Sequence, residues 1–264
     1  MTQLQKMEMA ELSKHALALA EIAAETSMSF FRGRLGIEFK HDESPVTQAD
    51  RAVEAALRSY IRDHCPNHGI YGEEHGSEGL ELDQIWVIDP IDGTRSFLSG
   101  NPLFGTLLAH LTQGKPDIGI IGMPALGEVL IGRRGQGASS NGQPISVSQQ
   151  TKLSDAILYI NEGEKLFRDT PDLFAKLMTT GQTRRFGYDC YPHAMLAMGH
   201  VDVVIDYDLQ PYDYLAVAAV VEAAGGIVTD WSGSRLSLES DGRIISAATP
   251  SLHRSMLSLV ETLA

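Results

Sequence analysis

Two aspartates, Asp89 and Asp92, stand three positions apart in Ile85-Trp-Val-Ile-Asp89-Pro-Ile-Asp92-Gly93-Thr94. The run before them is apolar and rich in β-branched residues, so it reads as a buried strand that ends in two carboxylates separated by a proline turn. Carboxylates crowded at a strand end repel one another unless cations lie between them. Oxygen-only donors favour Mg²⁺, Mn²⁺ or Ca²⁺ over Zn²⁺, so the chemistry in view is that of a hard divalent cation.

Three other acids stand where they can join this pair. Glu73, in Gly72-Glu73-Glu74-His75, lies in a loop a short connection before Ile85; a paired acid is usually a solvated surface feature, but this one can come beside Asp89. Asp50 follows Thr47 by three positions at a helix start, which approximates a capping box and accounts for it without chemistry, although the two roles are compatible. Asp213 follows Pro211 at the start of an apolar helix, where an N-terminal carboxylate is favourable by up to ~1 kcal/mol in any protein. As a third isolated acid at the end of an element, it is also what a multinuclear oxygen site needs. His64, His68 and His75 lack the HExxH spacing of a zinc site. Cys65 and Cys190 are two, far apart and without a CxxC, which argues for reduced thiols.

The surrounding elements follow from periodicity. Leu12, Ala16, Leu19, Ala23 and Phe30 mark an amphipathic helix over residues 8–31, and a second helix begins at Thr47 with Val53, Ala56, Leu57, Tyr60 and Ile61 inward. Ile37-Glu38-Phe39 reads as a short strand before a loop that runs to Thr47. After Thr94, apolar runs at 104–111, 117–121 and 128–131, separated by Gly and Pro turns, predict a largely antiparallel sheet. The Gly-rich stretch 132–142 contains GxG, but no helix follows and Asn141-Gly142 is a hairpin signal, so it is assigned to hairpins. Past residue 150 strands and helices alternate: strands at 156–160, 201–205, 227–229 and 243–246, helices at 169–179, 194–198 and 214–224 and from 252, and a turn at 181–186. The 264 residues thus read as one domain with an α+β half, 1–150, and an α/β half, 151–264.

Composition excludes several roles. A formal charge of −13 argues against a nucleic-acid or anionic-membrane surface, since both need basic patches. No stretch approaches the ~20 apolar residues of a membrane span, and the first residues lack a signal-peptide layout, so a cytoplasmic protein is expected.

Taken together, Gly72-Glu73-Glu74, Asp89-Pro-Ile-Asp92-Gly-Thr94, Val46-Thr47-Gln-Ala-Asp50, and Pro211-Tyr-Asp213 with Glu222-Ala-Ala-Gly225-Gly226 resemble the inositol monophosphatase family of metal-dependent phosphatases. The resemblance covers nearly the whole chain and implies a layered α-β-α-β-α sandwich of the α/β (α+β) class, usually a homodimer. It implies two to three Mg²⁺ ions: one held by Glu73, Asp89 and the main-chain carbonyl of Ile91, one by Asp89, Asp92 and Asp213, and a weaker third to which Glu73 contributes. Thr94 with Glu73 would orient the attacking water, with Asp50 in the outer shell. Main-chain N–H groups of Gly93, Thr94 and Arg95 would hold phosphate oxygens.

Departures from the inositol-cleaving members narrow the substrate. Those usually carry Trp-Asp where Tyr212-Asp213 stands and Asn-Phe where Ser96-Phe97 stands. Pro102-Leu-Phe104-Gly-Thr106, Gly187-Tyr-Asp189-Cys190-Tyr191 and Leu209-Gln-Pro211-Tyr212-Asp213 look like the histidinol-phosphate phosphatase branch, which acts in histidine biosynthesis. Asp189 and Asp206 are then the candidates to read a cationic leaving group, unless Asp189 only bonds a backbone amide or Arg185. The alternatives are inositol-1-monophosphatase, a 3'-nucleotidase acting on adenosine 3',5'-bisphosphate, a fructose bisphosphatase, and a non-catalytic interaction protein stabilised by metal.

Overall fold

The computed structural model describes residues 3–33, 37–39 and 45–263, so residues 40–44 of the loop expected to run to Thr47 lie outside the described residues. The last three residues of that loop, 45–47, form a strand instead, because they pair with 37–39. Helix α1 (Gln3–Phe30) is followed by a small ribbon of β1 (Ile37–Phe39) and β2 (Pro45–Thr47), and then by α2 (Gln48–His64). Next come β3 (Gly69–Gly72), β4 (Gly76–Glu78), β5 (Gln84–Asp92), the single turn α3 (Thr94–Leu98), and β6 (Gly105–Thr112). Strands β7 (Lys115–Met123), β8 (Glu128–Arg133), β9 (Gly137–Ser140) and β10 (Gln143–Ile145) complete an eight-stranded sheet in the order β10-β9-β8-β7-β6-β5-β3-β4. Only its β3–β5 pairing is parallel.

The alternation follows: β11 (Ile157–Ile160), α4 (Gly163–Asp169), α5 (Pro171–Leu177), β12 (Thr183–Phe186), α6 (Tyr191–Ala197), β13 (Val203–Asp206) and α7 (Pro211–Ala223). Strands β14 (Ile227–Asp230) and β15 (Ile244–Ala247) and helix α8 (Pro250–Leu263) close the chain, with a second sheet in the order β12-β11-β13-β15-β14. Among the described residues no helix is long and apolar enough to cross a membrane.

Alternation along β5 sorts the layers. Trp86 and Ile88 pack with Leu19 of α1 and Leu57 of α2, whereas Ile85 and Val87 pack with Leu215 and Val217 of α7. Successive side chains of a strand point to opposite faces, so a strand apolar on both is buried on both. Helices α6 and α7 touch both sheets, while α8 packs on β15 and against α5. The arrangement is the layered α-β-α-β-α sandwich expected.

Four other local expectations need correction. Residues 183–186, expected as a turn, form β12, because Gly181, at φ +78, turns the chain early enough for Thr183 to pair with Ile157. Helix α4 was not expected; its polar sequence, with only Leu166 buried, carries little periodic signal. Helices α6 and α7 begin three residues earlier than expected, since Pro192 and Pro211 stand in first turns, where a missing N–H costs nothing. Strand β5 does not end at Asp89 but runs on through Asp92. The hairpin signal held: Asn141 and Gly142, at φ +45 and +78, turn β9 into β10.

Helix α7 approaches the first sheet at glycines. A Cβ on Gly119 would stand 2.4 Å from the Ala216 carbonyl oxygen, and one on Gly132 would stand 2.5 Å from Val220 Cα. The obstructing atoms are backbone, so they cannot rotate away. Gly119→Ala is expected to destabilise by about 1–3 kcal/mol through overpacking, read as a lower urea midpoint with an unchanged m-value. A midpoint equal to wild type would show that α7 is free to retreat.

Candidate active site

Asp89 and Asp92 owe their common direction to an irregularity in β5. Asp89 pairs with Leu107 and Asp92 with Gly105, so three steps along β5 match two along β6. An odd separation in a regular strand would put the two acids on opposite faces; the extra residue of a bulge returns both to one. Pro90 stands in the bulge, where its missing N–H is tolerated, and its carbonyl accepts from Thr106 Oγ1 at 2.8 Å. The expected proline turn is therefore a bulge inside the strand. Ile91 points with Trp86 and Ile88 towards α1 and α2, which leaves Asp92 on the side of α7.

Asp213 meets them from α7. It is the third residue of that helix, not its cap, and its Oδ2 accepts from the Gln210 backbone N–H at 2.7 Å. Oxygens of Asp89, Asp92 and Asp213 all lie within 4.8 Å of one another, and among the described residues no other His, Cys, Asp or Glu group converges in this way. Burial, reinforced by the charges of Glu73, Asp92 and Asp213, holds Asp89 well above the usual carboxylate range. Asp92 is raised by burial and by Asp189 and Asp213, and Asp213 is pushed up to about 7 chiefly by burial. Asp89 Oδ1 is buried with no hydrogen-bond partner. An orphaned carboxylate oxygen amid two further acids fits a site for divalent cations held by oxygen, and such donors favour hard cations over zinc.

A second group lies between α2 and α3. Thr47 N–H and Oγ–H both donate to Asp50 Oδ2, at 2.8 and 2.5 Å, and Ala49 N–H donates to Thr47 Oγ1, so the capping box is real. The other Asp50 oxygen lies 3.2 Å from Thr94 Oγ1, which is also 3.3 Å from the Ile91 carbonyl. One carboxylate thus caps the helix and faces the site.

The Glu73 loop is fixed by a residue that sequence reasoning missed. Glu54 is fully buried; it accepts from the backbone N–H groups of Glu74 and His75 at 2.6 and 3.1 Å, and from Arg58 Nε at 2.7 Å. A Cβ on Gly72 would lie 2.1 Å from Glu54 Oε1, which explains the glycine before the two glutamates. The available signal was an i,i+4 acid–arginine pair among the apolar positions of α2.

Glu73, Asp92, Gly93, Thr94, Arg95, Asp189, Asp206 and Asp213 line one cavity of about 200 Å³. Asp189 adopts φ +59, accepts from Ser96 Oγ at 2.7 Å, and lies so close to Gly93 that a Cβ there would stand 2.5 Å from its Cγ. Ser96, not Arg185, is its hydrogen-bond partner. Burial pushes Asp189 up to about 6 against the opposing pull of that bond. Asp206 is only 3% exposed and accepts from Asn161 Nδ2, His193 Nε2 and the Tyr207 N–H. Lys165, unremarked in the sequence, sits 3.0 Å from both Glu162 and Asp208 on the same wall. Both cysteines are free and buried.

A family model described as the inositol monophosphatase family matches residues 8–264. The chain belongs to that family. It is 40% identical over 253 residues to the chloroplastic bifunctional phosphatase IMPL2 of Arabidopsis thaliana, covering 92% of this chain and 73% of the relative. It is 36% identical to a histidinol-phosphatase of Chlorobaculum parvum, over 93% and 95% of the two chains. An inositol monophosphatase from Zymomonas mobilis superposes with a TM-score of 0.84 at 36% identity, covering 94% and 96%. The protein is therefore a phosphatase, a hydrolase of small phosphoric monoesters, in a family that is generally metal-dependent.

Glu54→Ala takes from buried Arg58 its nearer carboxylate, leaving Glu78 at 3.7 Å, and leaves two loop N–H groups unpaired. Loss of one partner from a buried pair costs about 3–5 kcal/mol, so a clearly lower melting temperature is expected together with lower phosphatase activity. Wild-type melting would show that Glu54 does not hold the loop.

Proposed function

We propose that the protein hydrolyses L-histidinol phosphate to L-histidinol and inorganic phosphate with Mg²⁺, as histidine biosynthesis requires. The observation that carries this reading is Asp189, a further acid lining the cavity that Glu73, Asp92 and Asp213 also line. A substrate with an ammonium group and an imidazole calls for carboxylates there, whereas a polyol calls for mixed donors and acceptors. The name of the Chlorobaculum relative supports it.

Asp89, Asp92, Asp213 and Glu73, with the Ile91 carbonyl, would hold two to three Mg²⁺ ions. When bound, these ions supply Lewis acidity and neutralise charge on the phosphoryl oxygens. Thr94 has one hydroxyl proton; donated to Asp50, it leaves an Oγ lone pair to accept from the attacking water, which Glu73 helps to orient. The Gly93, Thr94 and Arg95 N–H groups, at the opening of α3, would meet the phosphoryl oxygens. Asp189 would pair with the substrate ammonium, while Asp206, enclosed by three donors, adds negative charge behind it. A C2 homodimer belongs to the same proposal, and sedimentation at micromolar concentration should show twice the chain mass.

The second reading, an inositol monophosphatase, is favoured by the Zymomonas structure. Phosphate release from histidinol phosphate, inositol 1-phosphate and adenosine 3',5'-bisphosphate, with and without Mg²⁺, separates them; the highest kcat/KM is expected for histidinol phosphate. Preference for inositol phosphate would overturn the assignment. Asp189→Ala should lower kcat/KM for histidinol phosphate roughly ten- to a hundredfold, the worth of one charge-assisted contact, and spare an uncharged aryl phosphate. Equal losses on both would make Asp189 a support of the site. Outer-shell changes at metal sites already cost ~10–100-fold, so Asp89→Asn should cost at least ~10²-fold in turnover; near-wild-type activity would sink the mechanism.

A further inference from the structure

Asn161, directly after β11, is 1% exposed and has no part in the chemistry above. Its Nδ2 donates to Asp206 Oδ2 at 2.7 Å and to the Asp189 carbonyl at 3.1 Å. Its Oδ1 is buried without a partner, and a Cβ on Gly187 would stand 2.5 Å from it. Turning the amide over would not help, because its oxygen would then face a carboxylate and a carbonyl, both acceptors. The side chain is therefore held in one orientation by what its nitrogen must reach.

The peptide it grips is gripped again from the other side. The Asp189 carbonyl and the Cys190 N–H belong to one peptide unit, and that N–H donates to Asp92 Oδ2 at 2.6 Å. A planar trans unit points its C=O and N–H in opposite directions, so two bonds to one plane fix its tilt. The fixing matters because Asp189, at φ +59, is a non-glycine residue in the left-handed region, which persists only where its surroundings hold it.

We propose that Asn161 is a positioning residue that locks the Asp189–Cys190 peptide and so sets Asp92 and the Asp189–Asp206 wall in register. The part concerning the wall rests on the substrate reading above; the part concerning Asp92 does not. Without Asn161 the peptide keeps only the Cys190 N–H bond to Asp92, so its tilt is no longer fixed, that bond weakens and the Asp189 side chain shifts.

The test compares wild type with Asn161→Ala and with Asn161→Asp, which keeps the shape but replaces the donor by an acceptor. Mg²⁺ binding by calorimetry without substrate should weaken about tenfold, the scale of outer-shell losses at metal sites. Amide exchange at Cys190 should accelerate while that of β5 and β13 stays as in wild type. KM for the preferred substrate should rise several-fold, while kcat on a small aryl phosphate recovers at saturating Mg²⁺. Unchanged Mg²⁺ affinity and Cys190 exchange in a variant that melts like wild type would overturn the proposal, as would an equal kcat loss on all substrates that Mg²⁺ does not restore. If both variants fail to fold, Asn161→Ser, which retains a shorter donor, is judged by the same measurements. A wild-type preference for inositol phosphate defeats the histidinol reading alone, because Mg²⁺ affinity and Cys190 exchange do not depend on the leaving group.

Discussion

Mutual repulsion among buried carboxylates is the constraint on which the site depends. Asp89, Asp92 and Asp213 converge within 4.8 Å, and Glu73 adds its charge to Asp89 and Asp213. In water such groups would separate; here each is tied to an element that cannot move independently. Asp89 belongs to a strand bonded on both sides, Asp92 accepts from Cys190, and Asp213 accepts from the start of its own helix. The fold thus stores an unfavourable arrangement of the kind that bound cations would relieve under the reading proposed above.

Holding that arrangement falls largely to α7. The helix is apolar all round because it lies between two sheets, and its glycine-mediated approach to β7 and β8 brings Asp213 to the level of the bulge in β5. Two buried polar devices complete the frame. Glu54 carries the Glu73 loop from below, and the Asp189–Cys190 peptide links Asp92 to the second sheet. Both are hydrogen-bond arrangements in which the loss of one member leaves another buried and unsatisfied.

The acids in and around the cavity divide by what already satisfies them. Asp206 has three donors and Asp50 has a capping threonine, whereas Asp89 retains an oxygen with none. The partly satisfied groups are where ligands have something to add. Lys165 already pairs with Glu162 and Asp208 on the same wall, whereas the side chain of Asp189 accepts from the neutral hydroxyl of Ser96.

The amino-acid sequence by itself determined the elements with strong local signals and the acids at their ends. The Ile85–Ile88 run, the Asn141-Gly142 turn, the Thr47–Asp50 box and the motif Asp89-Pro-Ile-Asp92-Gly-Thr94 are short-range patterns, and short-range physics suffices to read them. It did not show that Pro90 marks a bulge instead of a turn, because a bulge is defined by the partner strand β6. Nor did it distinguish β12 from a turn, since the pairing of Thr183 with Ile157 is a contact made across α4 and α5. Asn161 was invisible for the same reason, and the spacing of Glu54 and Arg58 showed a pair on α2 but not the loop that it holds. A buried carboxylate or amide has no periodic signature, and its role lies in the backbone groups that tertiary packing brings to it.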